Sequence, residues 1–216
     1  MSLDTPEPVF ARKSDYAYLK LRELIRSGEI SEGAEVNQEA LSAQLGVSTT
    51  PIREALRRLE AEGFVVLGAH KNARVTPLTV EEAQELLEMR VTLHALAAGL
   101  AATRATEADV EGMRSALRSL AEEPTNAAYR ELHRRVYSAA HNTLLDETLD
   151  RLWARAERYR DVIEAPRDQV RQQGELKALV DAIAAHDVDA ARELMAKQIE
   201  QGSVALAIEI LDRRSQ

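Results

Sequence analysis

The sequence predicts a mainly α-helical protein in two parts: an N-terminal unit of three short helices and a β-hairpin, and a C-terminal all-α antiparallel helical bundle. The chain has 216 residues, 45% of them hydrophobic and 30% charged, which is enough to bury a core. Only 4% are aromatic. Ala, Leu, Glu and Arg, which lose little freedom in a helix, are abundant. The β-rich runs lie before residue 77, and helical periodicity continues from there.

The beginning of the chain shows two distinct patterns. Residues 1–11 contain Pro6 and Pro8 and no periodicity, which is typical of a flexible arm. Apolar side chains at helical spacing then predict a helix over residues 14–27, ended by Gly28. The turn after it leads into a short extended segment.

The next two helices are joined by a short turn. Helical periodicity covers residues 38–45, Gly46 allows a sharp turn, and Ser48 is placed to cap the following helix. Pro51 falls in the first turn of that helix, where its missing N–H costs little. Gly63 ends the helix. Two β-rich runs follow, and their short connection predicts a hairpin.

Helices and hairpin in this order form a winged helix-turn-helix, which we predict for residues 12–76. In such a unit the beginning of the third helix enters the major groove of DNA. Hydroxyl groups at that position can bond phosphates, and an Arg one turn later can reach a guanine edge. The predicted DNA-contacting residues are Ser48, Thr49, Thr50, Arg53 and Arg57 on the helix, with Lys71 and Asn72 at the tip of the wing.

The same unit contains a specific motif. Ser-x-Thr-Pro-x-Arg-Glu-Ala-Leu occupies residues 48–56, within the segment V-N-Q-E-A-L-S-A-Q-L-G-V-S-T-T-P-I-R-E-A-L-R-R-L-E-A-E-G-F-V. By these features residues 14–76 resemble the GntR family of bacterial transcription regulators, which implies operator binding. The chain departs from the family at Thr49, where Arg is usual, and at Asn72, which replaces the wing glycine. We therefore expect an operator that differs from the family's commonest one.

Other interpretations of the basic residues stay open. Arg57 and Arg58 also fit a solvated helix face beside neighbouring acids. Arg53 also fits a surface ion pair with Glu54 or Glu60. A winged helix can also bind protein instead of DNA.

The net charge of −8 is unevenly distributed along the chain. Residues 12–76 carry ten Lys/Arg and nine Asp/Glu, a charge of +1. Residues 77–216 carry 18 and 25, a charge of −7. Because salt screens exposed charges beyond about 10 Å, the near-neutral unit can still present a basic face to DNA.

The second part, residues 77–216, is predicted to contain six antiparallel helices. They cover about 79–103, 106–121, 125–141, 143–164, 168–186 and 187–211. Three stretches occur in order: M-R-V-T-L-H-A-L-A-A-G-L-A-A, L-H-R-R-V-Y-S-A-A-H-N-T-L-L and L-V-D-A-I-A-A-H-D-V-D-A-A-R-E-L-M. By them residues 77–211 are similar to the FCD-type domain of one GntR branch. The similarity implies a bundle that dimerises and senses a small molecule.

The same resemblance implies a divalent metal site that this chain has mostly lost. FCD domains commonly hold the metal with an Asp, a His one turn later and two further His residues 22 positions apart. Aligned at Asn142, these positions fall on Tyr129, His133, Leu176 and Gln198. One ligand of four is kept, so we expect no bound metal and no other cofactor.

A ligand cavity can persist without the metal. Tyr129, His133 and Tyr137 recur on one helix face, Arg90 matches an Arg of the first sensor helix, and Asn142 follows. Buried Arg and Tyr side chains bind small carboxylates through charge-assisted bonds, so we predict these five as effector-binding residues. The alternative stays open that the tyrosines are core aromatics and that Arg90 pairs with an acid.

The other distinctive side chains are assigned no binding role. His94, His141 and His186 are expected to be satisfied or exposed side chains, not ligands. Trp153 fits the core or a dimer interface better than a ligand-stacking role. The sequence has no Gly-rich phosphate loop, nucleophile elbow or His-Glu-x-x-His motif, so no enzymatic activity is expected.

Together these features predict a cytoplasmic, homodimeric transcription regulator of the repressor type, which binds operator DNA and responds to a small organic acid. No apolar run approaches the roughly 20 residues of a membrane span, and the first ten residues do not resemble a signal peptide. Two other hypotheses remain. One is a DNA-binding regulator whose C-terminal domain no longer senses a ligand, and the other is an adaptor or enzyme that does not bind DNA.

Overall fold

The structure of the chain is a computed structural model that describes residues 12–68, 73–160 and 169–215. The chain divides into two units, Met1–Leu78 and Thr79–Gln216. Both the helical character and the small sheet of the first unit are as the sequence predicts. The arm predicted for residues 1–11 lies outside the described residues. No helix in the described ranges is both long and apolar enough to cross a membrane.

The first unit combines three helices with a three-stranded antiparallel sheet. Its elements are α1 (Lys13–Arg26), β1 (Glu35–Val36), α2 (Gln38–Leu45), α3 (Thr49–Ala61), β2 (Val65–Leu67) and β3 (Ala73–Val75). The predicted hairpin is formed by β2 and β3. The extended segment before α2 becomes β1 and pairs with β3, which gives the strand order β1-β3-β2.

Helix α1 packs against α3 through apolar and aromatic contacts. Leu21, Ile52 and Leu59 are fully buried in the core of this unit. The Tyr18 hydroxyl donates to the carboxylate of Glu62 at 2.7 Å. The Arg58 guanidinium lies 3.8 Å from the centre of the Tyr18 ring. These contacts fix α3 on the side that faces α1.

The turn between α2 and α3 is held by local hydrogen bonds. Gly46 adopts a left-handed conformation with φ 64°, which glycine tolerates without a steric penalty. The Val47 N–H then donates to the carbonyl of Ser42, and the Ser42 hydroxyl donates to the carbonyl of Val47. Ser48 occupies the N-cap position of α3, but its hydroxyl makes no capping bond, in contrast to the predicted cap. The turn is fixed by Ser42, not by Ser48.

The second unit is all α. Its elements are α4 (Val80–Arg104), α5 (Glu107–Glu122), α6 (Asn126–Ser138), α7 (Thr143–Arg160), α8 (Gln169–Ala184), α9 (Val188–Glu200) and α10 (Ser203–Ser215). The described part of this unit therefore has seven helices where the sequence predicted six. The helix expected over 187–211 was wrong as one piece, because the chain breaks at Gln201 and Gly202. A Cβ atom at Gly202 would lie 3.0 Å from the carbonyl oxygen of Ile199, so glycine permits this break.

Small side chains allow α4 and α9 to approach closely. Ala97, Ala98, Ala101 and Ala102 are fully buried on one face of α4. Gly99 lies against the side chain of Arg192 on α9, and a Cβ atom there would stand 2.9 Å from Arg192 Cγ and closer still to Nε. The absence of a side chain at residue 99 is therefore required for this contact.

We predict that Gly99→Ala destabilises the protein by about 1–2 kcal/mol, because the new methyl group displaces Arg192 and this cost exceeds the gain in helix propensity. Urea unfolding of the variant would measure the change. The double variant with Arg192→Ala should reverse the effect.

Gly174→Ala provides a matched control. Gly174 is exposed on α8, and nothing lies within 4 Å of a Cβ atom added there. This substitution should therefore stabilise by roughly 0.5–1 kcal/mol. Equal effects of the two alanine substitutions would contradict the proposed clash.

Candidate DNA-binding surface and buried polar cluster

Helix α3 separates a buried face from an exposed one. Its apolar residues face the core of the first unit; they are Pro51, Ile52, Ala55, Leu56 and Leu59. Ser48, Thr50, Arg53 and Arg57 are exposed, and Thr49 is half-buried. Because residues three and four apart share a face of a helix, Thr50, Arg53 and Arg57 form one exposed strip. Ser48 lies at its N-terminal end.

The arginines of α3 differ in their surroundings. Arg53 and Arg57 are exposed and form no ion pair or hydrogen bond with any residue that the structure describes. The alternative ion pair of Arg53 is thus not seen in the described ranges. Arg58, in contrast, lies 3.5 Å from Asp15 and 3.6 Å from Glu62 in addition to its contact with Tyr18. Arg53 and Arg57 are therefore available to a partner, whereas Arg58 supports the fold.

The beginning of α3 is suited to an anion. Its first turn contains no acidic residue, and no side chain caps its N–H groups at Ser48. Uncapped N–H groups and the helix dipole favour negative charge at such a position. A backbone phosphate is an anion of the right kind, with the hydroxyls of Ser48 and Thr50 beside it.

The wing is described only at its strands. Lys71 and Asn72, the residues predicted to contact DNA from its tip, lie outside the described residues. Arg74 on β3 is exposed and donates to the carbonyl of Gly33 at 2.6 Å. The sequence analysis assigned no role to Arg74, although its position in the second run of the predicted hairpin could be read from the sequence.

The second unit buries a polar cluster among its helices. The His133 ring lies 4.6 Å from that of Tyr129 and 5.2 Å from that of Trp153, measured between ring centres. The hydroxyl of Tyr137 is 2.9 Å from Nδ1 of His133. The Arg90 guanidinium, in a side chain that is 5% exposed, lies 5.8 Å from the centre of the Trp153 ring. The structure thus brings together four of the five predicted effector-binding residues.

The fifth predicted residue, Asn142, has a local role. Its side-chain oxygen accepts a hydrogen bond from the N–H of Leu145 at 3.2 Å, in the first turn of α7. Asn142 therefore helps to begin that helix.

His94 joins the cluster, although the sequence analysis assigned it no binding role. It is fully buried, and its Nδ1 is 2.7 Å from the hydroxyl of Tyr137. Burial lowers the pKa of His94 well below 6.5, and the charges of Arg90 and His133 lower it further. His94 is therefore neutral at pH 7. The spacing of Arg90 and His94, one turn apart on α4, was the signal that could have revealed it.

The Tyr137 hydroxyl couples the two imidazole rings. It lies between Nδ1 of His94 and Nδ1 of His133, and burial raises its pKa well above 10. A phenol has one proton, so it donates to one ring and accepts from the other. When both rings are neutral, they are opposite tautomers: one has a protonated Nε2 and the other a bare Nε2.

The other two histidines lie at helix ends. His141 is exposed, with Nε2 3.1 Å from Asp109, and His186 donates from Nδ1 to the carbonyl of Ala102 at 2.8 Å. Both have positive φ, 47° and 58°, in the turns that follow α6 and α8. Their contacts are those of structural side chains.

The residues at the expected metal positions do not fit a divalent ion. They are a phenol, an imidazole, a fully buried Leu176 and the amide of Gln198. Among the described residues no three His, Asp or Glu side chains are grouped as a metal would require.

Each of the two units matches a known protein family model. Residues 13–75 match the family model described as bacterial regulatory proteins, gntR family. Residues 85–201, more than half of the chain, match the FCD domain model. The chain belongs to the GntR family and carries an FCD domain.

Curated relatives of this GntR protein are transcription regulators. It is 29% identical to the putative L-lactate dehydrogenase operon regulatory protein of Escherichia coli (strain K12), over 85% of this chain and 82% of that protein. It is 35% identical to the probable D-xylose utilization operon transcriptional repressor of Paenarthrobacter nicotinovorans, over 56% of each. The chain spans about half the length of several curated relatives that it matches. These relatives and the gntR family model are of regulators, not enzymes, which agrees with the expectation of no enzymatic activity.

Solved structures share the fold of this GntR chain. E. coli McbR/YncC superposes with a TM-score of 0.68 at 22% identity, covering 96% of this chain and all of that one. A putative transcriptional regulator GntR from Rhodococcus sp. RHA1 gives 0.62 at 23% identity, covering 93% and 98%. At these identities the similarity establishes the fold alone.

The buried, neutral His94 of this GntR protein makes its stability depend on pH. The unfolded chain takes up a proton at His94 near pH 6.5, whereas the folded chain does not. The free energy of unfolding therefore falls by about 1.4 kcal/mol per pH unit below about pH 6.5 through this group alone. In His94→Gln that contribution is absent. Urea unfolding of both proteins between about pH 5 and pH 7 should show the shallower dependence in the variant, and parallel curves would contradict the assignment.

Proposed function

We propose that this GntR protein is a transcription regulator of the repressor type that binds operator DNA through α3 as a homodimer and is controlled by a small organic acid. The observation that carries the proposal is the exposed strip of α3. There, Arg53 and Arg57 point away from the core without a partner among the described residues. A protein that acts on chromosomal operators in a bacterium works in the cytoplasm.

The residues at the beginning of α3 have different roles in DNA binding. Arg53 lies about one turn into α3, where a side chain reaches base edges, and a bidentate Arg–guanine pair is a frequent specific contact. Ser48 and Thr50 bond phosphates, which fixes the register without reading sequence. Thr49 replaces the usual Arg of the family and is half-buried, so base reading depends more heavily on Arg53.

The homodimer is supported by an apolar strip on α4. Met89 is 51% exposed and Leu96 is 38% exposed, two turns apart on that helix. A second copy that covers this strip would remove it from water, which is favourable in proportion to the apolar area buried. Two-fold symmetry would then present two α3 helices about 34 Å apart to a near-palindromic operator.

Control by an acid is supported by the residue types and burial of the cluster. Arg90 is a buried guanidinium beside the Trp153 ring, and guanidinium groups bind small carboxylates through charge-assisted hydrogen bonds. No metal takes part in this proposal, because the ligand set retains one imidazole of the expected three. The description of one relative as a repressor of a sugar operon supports the direction of control.

We predict that Arg53→Ala weakens binding to the operator by about 1–3 kcal/mol and relaxes the base preference at one position of each half-site. Selection of bound DNA from a random pool would give the operator, and fluorescence anisotropy at several salt concentrations would give the affinity. The selected site should have two-fold symmetry. An unchanged preference would remove Arg53 from base reading.

Arg118→Ala serves as the control for this measurement. Arg118 is exposed on α5 and pairs with Glu111 at 2.8 Å, in the other unit. Its removal changes the net charge by the same amount, so it should leave both affinity and preference unchanged. Failure of the natural chain to bind any duplex would overturn the proposal itself.

A panel of small organic acids is expected to contain at least one that raises the melting temperature of the protein, because a ligand of the folded state stabilises it by mass action. The same acid should change operator affinity by roughly 5- to 150-fold, the usual range of coupling. DNA binding without a response to any acid would instead favour a regulator that no longer senses a ligand.

A further inference from the structure

Glu54 differs from the other acidic residues of α3 and its C-terminal cap. Glu60 accepts a hydrogen bond from the N–H of Leu67 at 3.1 Å, and Glu62 accepts one from the hydroxyl of Tyr18 at 2.7 Å. Glu54 is exposed and makes no hydrogen bond or ion pair with any residue that the structure describes. Glu60 and Glu62 therefore support the fold of the first unit, whereas the carboxylate of Glu54 is available to a partner.

Glu54 lies on the surface of α3 that is proposed to face DNA. An α-helix turns by about 100° per residue, so Arg57 lies opposite the middle of the buried face of α3. Arg53 and Glu54 lie on either side of Arg57, at about 40° and 60° around the helix axis. The exposed surface that contains the two arginines therefore also contains an acid.

A carboxylate on a DNA-binding surface is unfavourable unless it finds a hydrogen-bond donor. The phosphates of DNA repel it, and the loss of water from its oxygens is costly. In the major groove the bases offer two amino donors, on cytosine and on adenine. Adenine also presents the acceptor N7 beside its amino group, which repels the second carboxylate oxygen, whereas cytosine has no acceptor there. A Glu side chain at this position therefore suits cytosine.

We propose that Glu54 determines operator specificity by accepting a hydrogen bond from the amino group of a cytosine in the major groove. The cytosine lies in the base pair next to the guanine that Arg53 contacts, because adjacent Cα atoms are about 3.8 Å apart and successive base pairs about 3.4 Å apart. This inference rests on the proposed binding of operator DNA through α3 and names a base of each half-site.

Arg57 makes the contact of Glu54 compatible with the charge of DNA. It follows Glu54 by three residues, and residues at this spacing are neighbours on a helix. Its guanidinium is exposed without a described partner, so it can bind a backbone phosphate and offset the added negative charge. Arg57 then supports binding to any sequence. Glu54 weakens binding to each base pair that presents acceptors instead of an amino group, which is how it discriminates.

Selection of bound DNA from a random pool tests the assignment with the full-length protein. The natural chain should select a cytosine in the base pair next to the position whose preference Arg53→Ala relaxes. Glu54→Ala should lose the preference for this cytosine and keep the preferences at the other positions. Glu54→Gln should select adenine there, because an amide accepts from N6 and donates to N7.

The ratio of two affinities measures the contribution of Glu54. Loss of a negative charge strengthens binding to every duplex, so fluorescence anisotropy compares the selected site with one in which thymine replaces the cytosine. The natural chain should prefer the selected site roughly tenfold, whereas Glu54→Ala should bind both duplexes equally. Glu193→Ala, at an exposed position of α9, removes the same charge and should leave the ratio unchanged. Urea unfolding of Glu54→Ala checks that the variant is folded.

Each outcome bears on a different claim. Loss of the cytosine preference in Glu54→Ala, at this one position, together with selection of adenine by Glu54→Gln, supports the inference. A cytosine preference that survives in Glu54→Ala overturns it, as does a simultaneous loss of preference at several positions, which would indicate that Glu54 only positions α3. Both of these results leave the proposed binding of DNA intact. If the natural chain binds no duplex, the proposed function fails together with the inference.

Discussion

The close approach of α9 to α4 is the constraint on which the sensor bundle depends. Fully buried alanines and Gly99 give α4 a flat face, and the Arg192 side chain lies across it. Protein interiors are close-packed, so one added methyl group at such a contact must move a neighbour. The packing of small residues therefore leaves no room for a larger side chain between α4 and α9.

The cluster is stable because its polar groups largely satisfy one another. A buried tyrosine or histidine without a hydrogen bond is costly. Here one hydroxyl, that of Tyr137, lies within hydrogen-bond distance of Nδ1 of both His94 and His133. Arg90 adds a buried guanidinium, which keeps its charge. A fixed positive charge beside these rings is unfavourable for a metal cation.

The sequence predicted the features that depend on the local pattern of residues, such as which side chains share a helix face. Helical spacing placed Tyr129, His133 and Tyr137 on one face, and the structure joins them as neighbours. It did not predict the role of His94, whose partner Tyr137 is 43 residues away, because only the packing of α4 against α6 creates that contact. The break at Gly202 was missed because apolar spacing continues through it, while the glycine itself was the available signal. The sequence also did not reveal that the Ser48 hydroxyl makes no capping bond, since the turn is held by Ser42 instead.

Helix α7 connects the cluster to the beginning of the domain. Trp153 belongs to the cluster, and about 8 Å further along the helix the Arg158 and Tyr159 side chains bond the carboxylate of Glu82 at 3.1 Å and 2.8 Å. Glu82 lies in the first turn of α4, and burial and Glu82 together raise the pKa of Tyr159. Because a helix segment this short moves as a rigid body, a ligand that displaced Trp153 would also act on the first turn of α4. Such a ligand controls the protein only if it binds two conformations of the protein with different affinities.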